Sequence, residues 1–452
     1  MNKRVANVLG ASALAFGLLV AGCKTGDQPA NDTGNKNENP PADTAKSAGG
    51  GEAFQPAALK FTAEEAAKLA PDMKKELLDG QREFAIRLFH NLAMSGEFDL
   101  NISPYSVSTA LAMTYNAAKG NTATGMAATL GYPKATLEEV NKFHRAQLAA
   151  MLSADESVQL AVANAIFANK GKTFKQDFLQ RDSDYYGARV QALDFNDKAT
   201  LGIINGWVKE NTREKIDTIL DAIAPEDVMY LINAIYFKGP WNKAFEKGRT
   251  KDADFSSPSG ILKVKMMHSR ESLPYYDGKN FQMAELPFGE KSRYGMVFIK
   301  PKEKSPAGAG KDVLREFVMG LTANDWKTWT DGMKTKTVIF SMPRFKLEYK
   351  SSLKPALSTL GMDVAFSRNA DFTGAREQND LFISDVLHKT YIKVNEEGAE
   401  AAAVTAVVFA TKSVAEPEEP VRMTLDQPFM YAIRDRVNGT ILFMGMVNTP
   451  RE

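Results

Sequence analysis

The sequence predicts an α+β domain that begins near Phe61 and runs to the C-terminal Glu452. Two observations carry this. Helical spacing is concentrated early, whereas strand-like apolar runs dominate the later half, an order that favours antiparallel or mixed sheets over an alternating parallel one. No fixed period recurs, which excludes solenoid and propeller architectures. Linker-like composition is absent from residues 61–452, so one large domain is expected.

The first 22 residues read as an export leader: a basic MNKR, an apolar stretch from Val8 to Ala21 too short to span a bilayer, and then Cys23, the single cysteine of the chain. A lone cysteine directly after Ala21-Gly22 resembles a bacterial lipoprotein signal, in which it becomes the lipidated first residue. An ordinary secretory leader is the alternative. Either reading takes the protein out of the cytoplasm, lipid-anchored at the outer membrane or cell surface or released from it, and a single cysteine forms no internal disulfide. Residues 24–53 are rich in Gly, Asn, Asp, Pro and Thr and have little to bury, which predicts a flexible tether.

Beyond the tether, PDMKKELLDGQREFAIRLFHNLAM places Leu77, Phe84, Leu88 and Leu92 at helical spacing. SPYSVSTALAMTYNAA reads as a capped helix, with Ser103 as N-cap and Pro104 in the first turn. Strand-like runs follow at VQLAVANAIFAN, VMYLINAIYFKG, YGMVFIKP, KTVIFSMPRFKL and GTILFMGMV. ATLGIINGWVKENTREKI and YKSSLKPALSTLGM separate them as helical stretches. The segment VNEEGAEAAAVTAVVFATKSVAEPEEP, from Val394 to Pro420, is ambiguous: alanine favours helix, Val/Thr/Phe favours strand, and Pro417 and Pro420 fence it off.

The chemistry is excluded more easily than assigned. A net charge of +1 and scattered Lys and Arg give no electrostatic footprint for nucleic acid. His90, His144, His268 and His388 are far apart in sequence, outside any paired-ligand spacing, so neither a metal nor another cofactor is expected. Walker, dinucleotide and nucleophile-elbow patterns are missing. Ser351-Ser352-Leu353-Lys354 fits the Ser-x-x-Lys of penicillin-binding enzymes, but two fixed positions arise often by chance and a helix start explains them better. The expected protein is not an enzyme.

Four motifs taken together, NISPYSVSTALAM, LINAIYFKGPW, VLHKTYIKVNEEGAEAAAVTA and DQPFMYAIRD with ILFMGMVNTP, resemble the serpins in content and order across residues 72–450. The resemblance implies three β-sheets, eight or nine helices and an exposed reactive-centre loop. It further implies that Ser103, Ser106, Asn233 and His388 form the shutter, a polar cluster under the main sheet. Trp241 then sits at the breach, where the loop first enters that sheet. It assigns Glu396, Glu397, Gly398, Ala399, Glu400, Ala401, Ala402, Ala403, Val404 and Thr405 to the hinge, with Ala399 where the family prefers threonine.

In a strand, Ala399, Ala401, Ala403, Thr405 and Val407 share one face and are all small or β-branched, with Glu400 opposite. Small residues suit entry into a closed sheet without overpacking. A permanent buried strand fits the composition too, though alanine fills a core poorly.

Family spacing places the reactive bond sixteen residues after Glu396, between Lys412 and Ser413. Val408, Phe409 and Thr411 are alternative sites, and Lys412 read alone is also a plain solvated loop charge. The implied function is irreversible suicide inhibition of serine proteases, with cysteine proteases as a further class and trypsin-like specificity from Lys412. The partners expected are a covalently trapped protease and, through Cys23, a membrane; the chain is expected to be monomeric. A non-inhibitory serpin that is cleaved without trapping is the alternative.

Overall fold

In the computed structural model, residues 60–304, 312–399 and 419–452 are described, together with the backbone of Gly17–Gly22. Helices α1 (Ala63–Leu69), α2 (Lys75–Met94), α3 (Pro104–Tyr115), α4 (Gly120–Leu130), α5 (Leu137–Leu152) and α6 (Gln176–Tyr186) form one layer. The chain then supplies α7 (Ala199–Asn211), α8 (Val313–Gly320), α9 (Ala323–Asp331) and the short α10 (Lys354–Leu357). The α2 stripe predicted from spacing is buried at all four positions, Leu77, Phe84, Leu88 and Leu92, each contributing on the order of 2 kcal/mol. α1 and α5 both begin with a capping box, Thr62 with Glu65 and Thr136 with Glu139.

The strands are β1 (Gly17–Gly22), β2 (Leu100–Ile102), β3 (Gln159–Asn169), β4 (Arg189–Leu193), β5 (Asp227–Pro240), β6 (Lys251–Ser257) and β7 (Gly260–Asp277). Then come β8 (Phe281–Phe288), β9 (Tyr294–Pro301), β10 (Lys334–Pro343), β11 (Phe345–Ser352) and β12 (Leu381–Asn395). The chain closes with β13 (Gly398–Ala399), β14 (Val421–Thr424), β15 (Phe429–Asp435) and β16 (Ile441–Val447). The main sheet contains β4, β3, β5, β13 with β1, β12 and β11. The remaining nine strands form a continuous ladder in which the long β7 joins the β6–β10–β14 group to the β8–β9–β15–β16–β2 group. The α+β class expected from the sequence is what the chain adopts, with ten α-helices and two hydrogen-bonded sheets among the described residues.

Apolar side chains pack both faces of the main sheet. On one face, Ile204, Trp207 and Val208 of α7 cover Phe167 of β3 with Tyr230 and Ile232 of β5. On the other, α2 to α6 pack on the foot of β5 and β12 through Leu231, Ile383 and Val386. The upper half of that face meets the second sheet through Phe237, Phe288, Ile392 and Val394.

Candidate functional site

The site is a slot between β5 and β12. Both strands pair antiparallel to β13, so they run parallel to each other and stand one strand apart, about 9–10 Å from axis to axis. Gly398 faces Asn395 and Pro240; Ala399 faces Val394 and Gly239. At the foot, the backbone of β1 lies antiparallel to β12 and to β5. Between these two inserts the segment after α7 crosses the slot. Thr212 and Ile216 close a small cavity against Phe237 and Tyr391, and Lys215 Nζ stands 5.5 Å over the Tyr391 ring.

Gly398 is set by two independent constraints. Its φ is +146°, and a Cβ there would lie 2.1 Å from the Gly239 carbonyl oxygen. Ahead of it, the buried Glu396 carboxylate accepts from Arg344 Nε at 3.0 Å, Arg344 Nη2 at 2.6 Å and Thr250 Oγ1 at 2.5 Å. Burial pushes this carboxyl up, but the bonds from Arg344 and Thr250 outweigh it and hold it below the ordinary carboxylate range. Glu397 pairs with Lys247 at 2.6 Å, but the exposed lysine end makes this a weak contact.

Trp241 reaches the same place. Its indole Nε1 donates to the Asn395 carbonyl at 2.9 Å, its ring stacks on Phe288 at 4.5 Å, and its backbone N–H donates to the Glu397 carbonyl. The tryptophan therefore ties the top of β5 to the turn that carries the hinge.

Lower down, the polar residues named from the sequence are brought together. The backbone N–H of Ser103 donates to His388 Nε2 at 3.0 Å, and Ser103 Oγ caps α3 by accepting from the Ser106 N–H. The Ser106 hydroxyl donates to Asn233 Oδ1. Asn233 Nδ2 donates to Asn164 Oδ1 at 2.6 Å, and Asn164 Nδ2 to the Tyr186 carbonyl at 2.7 Å. All of these are buried, so the strands flanking the slot rest on a connected polar network.

Asn164, Arg344 and Thr250 were missed from the sequence. Asn164 had a signal: Asn-Ala-Ile occurs at 164–166 and again at 233–235, and the two asparagines face each other across β3 and β5. Arg344 and Thr250 are distant in sequence from Glu396 and had none.

Burial holds the His388 and His144 imidazoles neutral, down to about 3 from 6.5. A histidine with a lowered folded pKa contributes stability at pH above 6.5, and that contribution is lost as pH falls from there toward about 3. Between pH 6 and 4 each histidine is expected to cost about 1.4 kcal/mol per pH unit. Urea unfolding across that range measures it, and His144→Gln should lower the slope by about 1.4 kcal/mol per pH unit. An unchanged slope would show that the His144 imidazole is not an acid-sensitive group.

The Ser-x-x-Lys pattern does not assemble a nucleophile and base. Ser351 Oγ donates to the Ser352 carbonyl, whereas Lys354 Nζ donates to the Ser384 carbonyl at 3.1 Å. Among the described residues, no group of three His, Cys, Asp or Glu is arranged to hold a metal. No helix there is long and apolar enough to cross a membrane. Glu400, Ala401, Ala402, Ala403, Val404, Thr405, Val408, Phe409, Thr411, Lys412, Ser413 and Cys23 lie outside the described residues.

With this geometry in place, the comparisons are specific. A family model described as serpin (serine protease inhibitor) matches residues 79–450. Leukocyte elastase inhibitor of Sus scrofa is 34% identical over 386 residues, covering 83% of this chain and 100% of its own. An uncharacterized serpin-like protein of Thermococcus kodakarensis is 32% identical over 386 residues, covering 85% of this chain and 88% of its own. Among solved structures, the thermophilic serpin tengpin in its native state superposes with a TM-score of 0.72 at 34% identity, over 83% of this chain and 95% of its own.

Proposed function

The chain belongs to the serpin family, and on that premise we propose that it is an irreversible suicide inhibitor of trypsin-like serine proteases. The family supports protease inhibition in general, as inhibitors rather than catalysts. The finer reading is that a protease attacks the bond between Lys412 and Ser413. The acyl-enzyme it forms is carried away as the freed loop inserts between β5 and β12. Serpin loop insertion is an established case of strand addition. About ten new ladder bonds at roughly 1 kcal/mol each, with side-chain burial added, supply a driving force on the order of ten kcal/mol.

One observation carries the reading: Gly398 and Ala399 already pair with both walls of the slot. Continued one residue per step, that ladder would bring Lys412 level with Leu381, the first residue of β12, and Thr411 level with Asp227, the first of β5. The strand available therefore ends where family spacing puts the reactive bond. In the same register Ala401 would pass between Ile392 and Phe237, and Thr405 between His388 and Asn233. Small residues would meet the crowded aromatic level, and a hydroxyl would meet the polar one.

β1 pairs with the stretch of β12, residues 381–387, that loop residues 406–412 would need. The trapping form is accordingly the processed protein, without residues 1–22. We read Cys23 as its lipid-anchored first residue, with the tether holding the domain off the envelope surface; failure of Cys23→Ala to release the protein from the membrane fraction would refute the anchor.

The test is to mix residues 54–452 with trypsin and run a denaturing gel. A stable band at the summed mass, with cleavage mapped after Lys412, is the expected result. Cleavage at that bond with trypsin still active would refute trapping of trypsin and favour the non-inhibitory alternative. Elastase, attacking near Val408 or Phe409, is then the second protease to try.

A further inference from the structure

Three strands of the main sheet turn a basic face toward the side that carries α7. Leu387 of β12 and Ala234 of β5 pack in the α7 cluster. Alternation along each strand brings Lys389, Tyr391 and Lys393 of β12, and Lys238 of β5, to that same face. β11 adds Lys346, Glu348 and Lys350, which stand directly opposite Lys393, Tyr391 and Lys389 in that order. Lys393 and Lys238 occupy the first rung below β13, on opposite walls of the slot. Over these rungs the three strands offer the face one carboxylate, Glu348, and Lys346 takes it at 2.7 Å.

Like charges directly opposite each other destabilise a strand pair, so sheets ordinarily set opposite charges across a rung. Here two rungs between β11 and β12 carry lysine on both strands. Lys238, Lys389 and Lys393 make no ion pair and no side-chain hydrogen bond among the described residues. Lys389 is buried as well, and desolvation outweighs the attraction of Glu348 and Asp217 to hold its ammonium below the usual lysine range. A face with this excess of one sign concentrates counter-ions above it, although the whole chain carries only +1.

We propose that this face docks a linear phosphate polymer, laid across β11, β12 and the slot with its phosphates between the facing ammonium groups. The cations are lysines, which meet a phosphate as point charges, and not arginines, whose planar fork matches a carboxylate. The two all-lysine rungs lie four residues apart, about 13 Å along the strands, and Lys238 stands two strand spacings, about 9–10 Å, beyond Lys393. A small anion cannot span that spread, whereas a polymer can. Bases would find no ring to stack on. The Tyr391 ring already meets Lys215 Nζ and Lys346 Nζ, each at 5.5 Å, and Tyr236 is buried. This docking does not depend on whether the protein traps a protease.

Fluorescence anisotropy of end-labelled linear polyphosphate, titrated with the full-length protein, tests it. At low ionic strength K238E/K393E is expected to bind at least tenfold more weakly than the parent. Its plot of log affinity against log salt should be shallower by about two, one for each lysine. K134E/K172E makes the same charge change at two exposed lysines, one between α4 and α5 and one after β3, and should bind like the parent. Urea unfolding checks the fold, and K238E/K393E should be no less stable than the parent, because Lys346 then faces a carboxylate. Should that pair misfold, K238Q/K393Q decides, with at least a threefold loss expected. Undiminished binding by the folded variant would overturn the proposal, and so would an equal loss in K134E/K172E, which would mean that net charge alone is read. Single-stranded DNA of equal charge binding as tightly as polyphosphate would overturn the base-free ligand, and tighter binding of dextran sulfate would overturn phosphate.

Discussion

Ala401→Arg is expected to abolish trapping while leaving the loop cleavable and the fold intact. Continued insertion from Ala399 would carry residue 401 between Ile392 and Phe237, which are 4% and 7% exposed. A guanidinium forced between them finds no carboxylate among the described residues of that level, and burying an unpaired charge costs several kcal/mol. That is a large part of a driving force of about ten kcal/mol, and it falls at the fourth residue of the ladder, before most new bonds exist. Deacylation then overtakes insertion. On a denaturing gel the summed-mass band should give way to cleaved inhibitor and active protease. Glu400→Arg, on the wet face, is the control and should retain the band. Trapping by the Ala401 variant at parent stoichiometry would show that the inserting face has been misassigned.

Glu396→Lys is expected to be the most damaging change within the described structure. The native carboxylate is 2% exposed and takes its bonds from Arg344 and Thr250. A lysine there sets two cations against each other, with only the exposed Glu452 carboxylate 3.7 Å from Arg344 to compensate, a loss of about 3–5 kcal/mol. The backbone would suffer with it, since the Phe245 N–H donates to the Glu396 carbonyl and the Trp241 N–H to that of Glu397. Released from both, β13 loses its hold between β5 and β12. Urea unfolding should show the stability loss, and near-ultraviolet circular dichroism a change at the Trp241–Phe288 stack. Glu396→Gln, which keeps the shape and loses the charge, should cost less. A lysine variant as stable as the parent would mean that the Arg344 pair does not hold the breach closed.

Much of this site was legible in the sequence because its signals are local. Ser103 is an N-cap followed by proline, and such a pattern fixes a helix start wherever it occurs. The α2 stripe needs only helical periodicity to be seen. Gly398 and the alanines after it stand out as residues chosen for what they lack. Other elements gave no such sign. β7, at 18 residues, carries Lys263, Lys265, Arg270 and Glu271 along with Pro274, and its polar face hides a strand that joins two groups of the second sheet. Gly17–Gly22 reads as the apolar part of a leader, yet its backbone pairs at the foot of the slot. Any extended apolar segment can satisfy two unpaired strand edges, so pairing of this kind leaves no mark in composition.

The sequence by itself determined the fold class and the capped helices, which follow from spacing and capping over a few residues; the polar quartet Ser103, Ser106, Asn233 and His388 and the small-residue hinge were named through the resemblance to the serpins. Only the tertiary structure decided that Arg344 and Thr250 hold Glu396 and that Asn164 extends the quartet. Each of those pairings closes a long stretch of chain, and its partner is chosen by sheet register. Register is set by packing across the whole domain, which no local window of sequence contains.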